Sequence, residues 1–270
     1  MTMLRVHLMQ NWIGYSDLAM EDALYETTIL RPFSGPTLER VPDEATTLNF
    51  RHLLGKHELA SGILGVINSY LGDRCVSLSQ GTIVDTILIQ APGSTMNKDG
   101  KRGPEMHQTK KSNPYYLGAK AHIGANDESG LVHSVMVTAA HVVDVTQVKK
   151  LLHGEEKMMC LGASYVGVEK SEEHAGRGVI WQITARRGPY KKHRKCCVLY
   201  KAIRKIEKAK GQVRAKVEHP FRVIKRQFDY EKVRFRGLTK NSAQMVTLFT
   251  LPNLWMARRY LWAKAGEVHM

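Results

Sequence analysis

SLSQGTIVDTILIQAPGST, residues 77–95, is the stretch whose reading decides the fold. β-Branched residues crowd into Thr82–Ile89 and turn formers follow at once, which predicts a strand. Within it Asp85 is flanked by Val84, Ile87 and Leu88, an apolar setting for a carboxylate. Two readings stand at this point. Asp85 is either an acid on the solvent face of an edge strand or a metal ligand held rigidly by the sheet.

Working outward, residues 1 to about 74 read as helical. Asp17–Ile29 carries an amphipathic pattern with Ser16 available as N-cap, and RPFSGP (31–36) breaks it. Thr46 or Thr47 is placed to cap the next helix, and Leu59–Leu71 repeats apolar residues at helical spacing. C-terminal to the strand, Asn97–Asn113 reads as a polar loop. YLGAKAHIG (116–124) and LVHSVMVTAA (131–140), joined by ANDESG, read as a β-hairpin. Val142–Leu152 suits a helix, and Lys157–Leu161 and Val179–Thr184 suit short strands. Ala202–Phe228 is helical with Pro220 interrupting it, and Ser242–Leu261 is a last helix with Pro252 inside. Antiparallel strands, then helix–strand alternation, then basic helices imply a mixed α/β sheet.

The chain has 270 residues with 40 Lys and Arg against 25 Asp and Glu, a net charge of +15. Its 43% hydrophobic and 24% charged content is that of an ordinary globular protein. No apolar run approaches the ~18 residues of a membrane span, and Arg5, His7 and Gln10 break up any leader-like start. Four cysteines, Cys75, Cys160, Cys196 and Cys197, are too few and too irregular for a disulfide framework. The expectation is a cytoplasmic protein with no membrane partner. The charge is concentrated: from Arg186 to Lys240, 20 cations face 4 acids. Such density repels itself unless a polyanion compensates it, so nucleic acid is the expected partner.

Within that basic stretch, GQVRAKVEHPFRVIKRQF (211–228) sets Arg214, Glu218 and Lys225 at roughly 0°, 40° and 20° around a helix. One carboxylate then shares a face with two cations. An ion-pair ladder and a metal-binding glutamate beside phosphate-binding cations both fit this pattern. Pro220 adds a condition: either the helix kinks there or Glu218 lies just before a new helical start. His122, His133, His141 and His153 lack metal-ligand spacing and read as structural. His193 with Cys196 and Cys197 lacks a second ligand pair and reads as a basic loop.

The stretches NWIGYSDLAMEDALYE, TTLNFRHLL, QGTIVDTILIQAPGST, PEMHQTKKSNPYYLGAKAHIG, LLHGEE, RAKVEHPFRVIKRQF and NLWMARR resemble bacterial insertion-sequence transposases of the DDE type, in the insertion-sequence-five group. They run through nearly the whole chain. The resemblance implies a helical N-terminal domain (1–75) that contacts DNA ends. It implies an RNase H-like core (76–262) carrying Asp, Asp and Glu, with the basic segment 186–240. It further implies two Mg²⁺ ions driving strand cleavage and transfer on double-stranded DNA. The partners would be element ends and target DNA at the nucleoid, and a homo-oligomer is compatible with the pattern.

Residue by residue, Asp85 matches the first aspartate and Glu218 the glutamate. Arg214 and Lys225 match the Arg-x3-Glu-x6-Lys signature, and Arg222 and Arg226 join them as expected DNA-gripping cations. The tyrosine that some relatives place three residues before the arginine is Gly211 here. The second aspartate, expected in a short strand ending Asp-Ala-Gly-Tyr, falls on Gly162 of MMCLGASYVG, with Tyr165 and Gly167 retained. Glycine offers no side-chain carboxylate to a two-ion site. The resemblance also places Met1 inside the family's N-terminal domain, as in a shortened copy. The expectation is a transposase by descent with impaired catalysis. The rival is a non-catalytic DNA-binding remnant that interferes with intact copies. Whether Asp144, Glu155 or Glu156 substitutes for the absent carboxylate is open in the sequence. A basic RNA-binding protein is the third and weakest alternative.

Overall fold

The computed structural model describes residues 2–35, 37, 40–73, 80–92, 105–110, 113–174, 178–186, 188 and 197–267. The strand expected at Thr82–Ile89 is β1, Gly81–Gln90, and it is central rather than at an edge. It pairs antiparallel with β3 (Tyr115–Asn126), Asp85 opposite Ile123, and parallel with β5 (Met158–Leu161). β5 in turn pairs parallel with β6 (Ile180–Ile183). The far edge of β3 carries β2 (His107–Lys110) and β4 (Val132–Ala139), the first opposite residues 115–118 and the second opposite residues 119–125. The hairpin is therefore where its alternation predicted it. β2 was read as loop, because HQTK has no apolar residue to mark a strand.

Period-two alternation sends β1 side chains to two different cores. Ile83, Ile87 and Ile89, with Ala119, Ala121 and Ile123 of β3, pack under Val217, Phe221, Ile224 and Phe228 and the long last helix. Val84, Met159 and Leu161 face the other way, onto Val148, Leu151, Tyr165 and Val168. Both faces of the sheet are covered by helical structure, as a mixed sheet with parallel strands requires.

The N-terminal region is helical: α1 (Thr2–Ile13), α2 (Asp17–Glu26), α3 (Leu30–Ser34), α4 (Glu44–Lys56) and α5 (Leu59–Gly72). Ser16 caps α2 as expected, its hydroxyl accepting from Ala19 N at 3.2 Å. The α4 cap is Asp43, not Thr46 or Thr47; its carboxylate accepts from Thr46 N at 2.7 Å. A short helix α6 (Val148–Leu151) follows a 3₁₀ turn over Asp144–Gln147, together filling the predicted 142–152 helix only in part.

The basic helix α7 runs Val198–Arg214 and then breaks. A 3₁₀ turn, Ala215–Val217, leads into the short α8, Glu218–Arg222, and a π turn, Val223–Gln227, closes the segment. Of the two options for Pro220, the new start is the observed one. Glu218 opens α8 and Pro220 sits in its first turn, where its missing N–H costs little.

The last helix, α9, spans Leu238–Glu267 with Pro252 inside it. It joins the N-terminal helices to the sheet. Trp12 of α1 lies 5.5 Å from the rings of both Phe228 and Trp255. Asn253 accepts from Val132 N at 2.8 Å and donates to Val132 O and to Asn68 of α5, both at 2.7 Å. Among the described residues no helix is long and apolar enough to cross a membrane.

Candidate active site

Asp85 projects from the central strand toward α8, because it shares the alternation of Ile83 and Ile87. Its side chain is 17% exposed. Thr86 N donates to its Oδ1 at 2.9 Å, and Arg214 Nη2 stands 3.3 Å from its Oδ2. The same Nη2 is 3.5 Å from Glu218 Oε1. Residues 133 positions apart in the chain thus meet across one guanidinium. Burial pushes the Asp85 carboxyl above its ordinary range. Arg214 and the Thr86 N–H pull it back, and the negative charges of Glu218 and Asp144 raise it further.

Gly162 follows β5 directly and faces this cluster. A Cβ built on it would lie 3.4 Å from Arg214 Nη1 and 3.8 Å from Ser164 Oγ. A side chain there would extend toward the guanidinium that already bridges Asp85 and Glu218. Its φ is −73°, so backbone geometry does not demand glycine.

Asp85, Thr86 and Ile87 form one wall of a cleft of about 480 Å³; Phe221, Arg222, Lys225 and Arg226 complete it with Arg214 and Glu218. Four cations and two carboxylates line it. All of the residues picked out from the sequence as site or DNA-gripping residues line this cleft, except Gly162, which abuts it through Arg214. Lys225 reaches the cleft although the helix face that predicted it is interrupted by 3₁₀ and π turns.

Behind β1, on the opposite face, the structure joins residues that the sequence did not connect with one another. Thr86 Oγ1 lies 2.9 Å from Tyr165 OH and 2.9 Å from His122 Nδ1. His122 Nε2 is 2.8 Å from Thr138 Oγ1. Tyr165 is three residues after Gly162, so this network ties the end of β5 to the strand position next to Asp85. Desolvation lowers the His122 pKa to about 4, Asp144 opposing and Lys120 adding to the effect. The alternation of β1 together with the hairpin register was the available signal for this group.

Of the three acids left open, Glu156 is committed to the turn before β5. It accepts from His153 N at 2.5 Å and Gly154 N at 2.9 Å. Glu155 is exposed. Asp144 is the one felt at Asp85, and it is held by Lys120 Nζ at 2.8 Å. His133 is half-buried, its Nε2 3.2 Å from Thr82 Oγ1. His141 stacks near His107, ring centroids 4.1 Å apart. Cys160 is buried, while Cys75, His193 and Cys196 lie outside the described residues.

A two-ion site needs carboxylate oxygens bridging two cations ~3.5–4 Å apart. Here the two carboxylates are joined by a guanidinium and position 162 has no side-chain oxygen. Among the described residues no group of three or more His, Cys, Asp or Glu is arranged to hold a metal. The donor set as arranged does not fit two divalent ions.

Two family models match the chain: a transposase DDE domain over residues 77–254 and a transposase domain over residues 1–53. Among solved structures, the piggyBac transposase in its synaptic complex with hairpin DNA is similar in fold. The TM-score is 0.55 at 8% identity, with 98% of this chain covered. The chain spans 66% of the length of that protein.

Proposed function

The chain belongs to the transposase family defined by the DDE domain, and from that premise we propose that it is an insertion-sequence DNA transposase whose strand chemistry is impaired at position 162. Within that family the chain would belong to the insertion-sequence-five group. Asp85 and Glu218 would be the acidic residues of the site, and magnesium the ion of the complete family site. Arg214, Arg222, Lys225 and Arg226 would hold the phosphodiester backbone. The order β4-β3-β1-β5-β6, antiparallel as far as β1 and parallel beyond it, with β2 as an extra edge strand on β3, supports an RNase H-like core.

One observation carries the reading: the Cβ vector of Gly162 enters the same Arg214-centred cluster as Asp85 and Glu218. The third carboxylate expected of the family would belong there, and glycine supplies none. No step through metal is derived for this chain, because the residues present do not fit the pair of ions. The cationic lining remains suited to phosphate, since guanidinium and ammonium groups neutralise phosphate oxygens irrespective of base sequence.

The same observation favours a second reading, a DNA-binding remnant that occupies element ends without cutting them. Binding and cutting separate the two. Fluorescence anisotropy on a duplex carrying the element ends should show salt-dependent binding, and product analysis with Mg²⁺ should show cleavage well below that of a chain with all three acids. Measurable cleavage at a low rate supports the impaired enzyme, none at all the remnant. Absence of DNA binding at low salt would overturn both.

A further inference from the structure

A second polar cavity lies away from the Asp85 cleft, at the junction of the N-terminal helices and the core. It has a volume of about 380 Å³, within the range of small-ligand pockets. Its walls come from the α1–α2 turn, from α4 and from the segment entering α9. Tyr15, Asp17, Arg51, Arg234, Phe235 and Gln244 are its chief lining residues. They come from both matched segments, residues 1–53 and 77–254.

The charge in this cavity does not balance. Asp17 is its one carboxylate and is fully engaged: Oδ1 accepts from Gln10 Nε2 at 2.7 Å and Oδ2 pairs with Arg51. Arg51 also stacks 4.8 Å from the Phe235 ring centroid, and its buried Nε has no acceptor. Arg234 is exposed and has no carboxylate within ion-pair reach among the described residues. Its Nη2 touches only the carbonyl oxygens of Phe228 and Asp229, at 3.4 and 3.5 Å, both long for a charged donor. Two guanidinia against one carboxylate leave about one positive charge facing the opening, beside the amide of Gln244. A guanidinium with unspent planar donors matches the oxygens of a phosphate group.

We propose that this crevice is a phosphate-binding pocket in which Arg234, backed by Arg51, takes one phosphodiester group of a DNA strand. A phosphate bound there would touch both matched segments and fasten the N-terminal helices to the core as DNA is engaged. The assignment to a phosphodiester rests on the DNA-binding reading above; the anion chemistry does not. Arg51 is unsuitable for testing because it also holds Asp17, whereas Arg234 makes only the two long carbonyl contacts and a contact 5.5 Å from the Tyr230 ring centroid, and melting of the variant without phosphate reports whether those matter to the fold.

The test compares the full chain with Arg234→Gln and with Lys149→Gln, the latter an exposed cation on α6 remote from the crevice. Duplex DNA binding is measured by anisotropy across salt concentrations, and stabilisation by inorganic phosphate by thermal melting. The expected result is that Arg234→Gln melts normally without phosphate, loses the phosphate-induced rise, and binds DNA roughly tenfold more weakly. Its salt slope should fall by about one, with Lys149→Gln close to the parent in both measurements. Unchanged DNA affinity in Arg234→Gln overturns the proposal; if phosphate stabilisation is nonetheless lost, the pocket serves a free anion instead. Equal losses in both variants overturn it too, as general charge reduction. If the parent binds phosphate through Arg234 but no DNA, the anion pocket stands and the DNA-binding reading fails.

Discussion

Arg214 Nη2 stands 3.3 Å from Asp85 Oδ2 and opposes the upward push that burial gives that half-buried carboxyl. Arg214→Gln removes the largest influence that lowers the Asp85 pKa. The remaining influences, chiefly burial, then act with less opposition, so the Asp85 titration should move upward. Carboxyl-carbon NMR across the acidic range measures this directly. An unmoved midpoint would mean that the pair does not persist in solution.

Tyr165→Phe should leave the fold intact and lower its stability. The phenol is 1% exposed and its hydroxyl reaches Thr86, so its loss removes one buried hydrogen bond while Thr86 keeps His122. The cost should be about 1 kcal/mol, a drop of a few degrees in melting temperature. A variant as stable as the parent would remove the brace between β5 and β1 from the account.

Stability should fall on acidification well before the carboxylates titrate. Burial lowers His7 and His133 from 6.5 to about 4, and their neighbours Arg51 and His153 respectively lower them further. Between pH 6.5 and 4 the unfolded chain binds protons that the folded chain refuses, so stability rises with pH across that window. The contribution is fully present above pH 6.5 and is lost as pH falls toward 4. Each of these two histidines is worth roughly 3 kcal/mol at the low end. Melting temperatures should be lower by several degrees at pH 5 than at pH 7.5; a flat profile would contradict the buried neutral histidines.

Gly118→Ala should be severely destabilising. A Cβ at this position in β3 would collide with the carbonyl of Ile89 in β1, and that neighbour is backbone that cannot turn aside. The sheet would have to separate beside Asp85's own strand. Soluble expression and chemical denaturation report the effect, expected above about 2 kcal/mol.

The contrast between these sites shows what a single sequence makes legible. Asp85 was readable because β-branched residues on both sides marked a strand, and the hairpin after it was readable from alternation around a turn. Its central position was not readable, because pairing with β5 joins residues more than 70 apart. Arg214 and Glu218 were readable as partners one helical turn apart, whereas the contact of Arg214 with Asp85 depends on how α7 and α8 land on the sheet. Position 162 stood out only through resemblance, since a glycine after a short strand carries no chemical signal. β2 was missed because HQTK is polar, and the Asp43 cap because two threonines competed for the same role. The Arg51–Arg234 crevice was invisible: its two arginines are 183 residues apart in the chain, and nothing in the sequence brings them together.

The central claim is that this molecule keeps a transposase's hold on DNA but lacks the third carboxylate of its site. Gly162→Asp tests it most directly, in a Mg²⁺-dependent cleavage assay on duplex DNA carrying the element ends. The backbone at 162 accepts an aspartate and its Cβ would face Arg214, so the substitution should raise cleavage at least a hundredfold while DNA affinity changes little, the ~3 kcal/mol lost with one charge-stabilising group at a reaction centre. Efficient cleavage by the chain with glycine in place, unimproved by aspartate, would contradict the account.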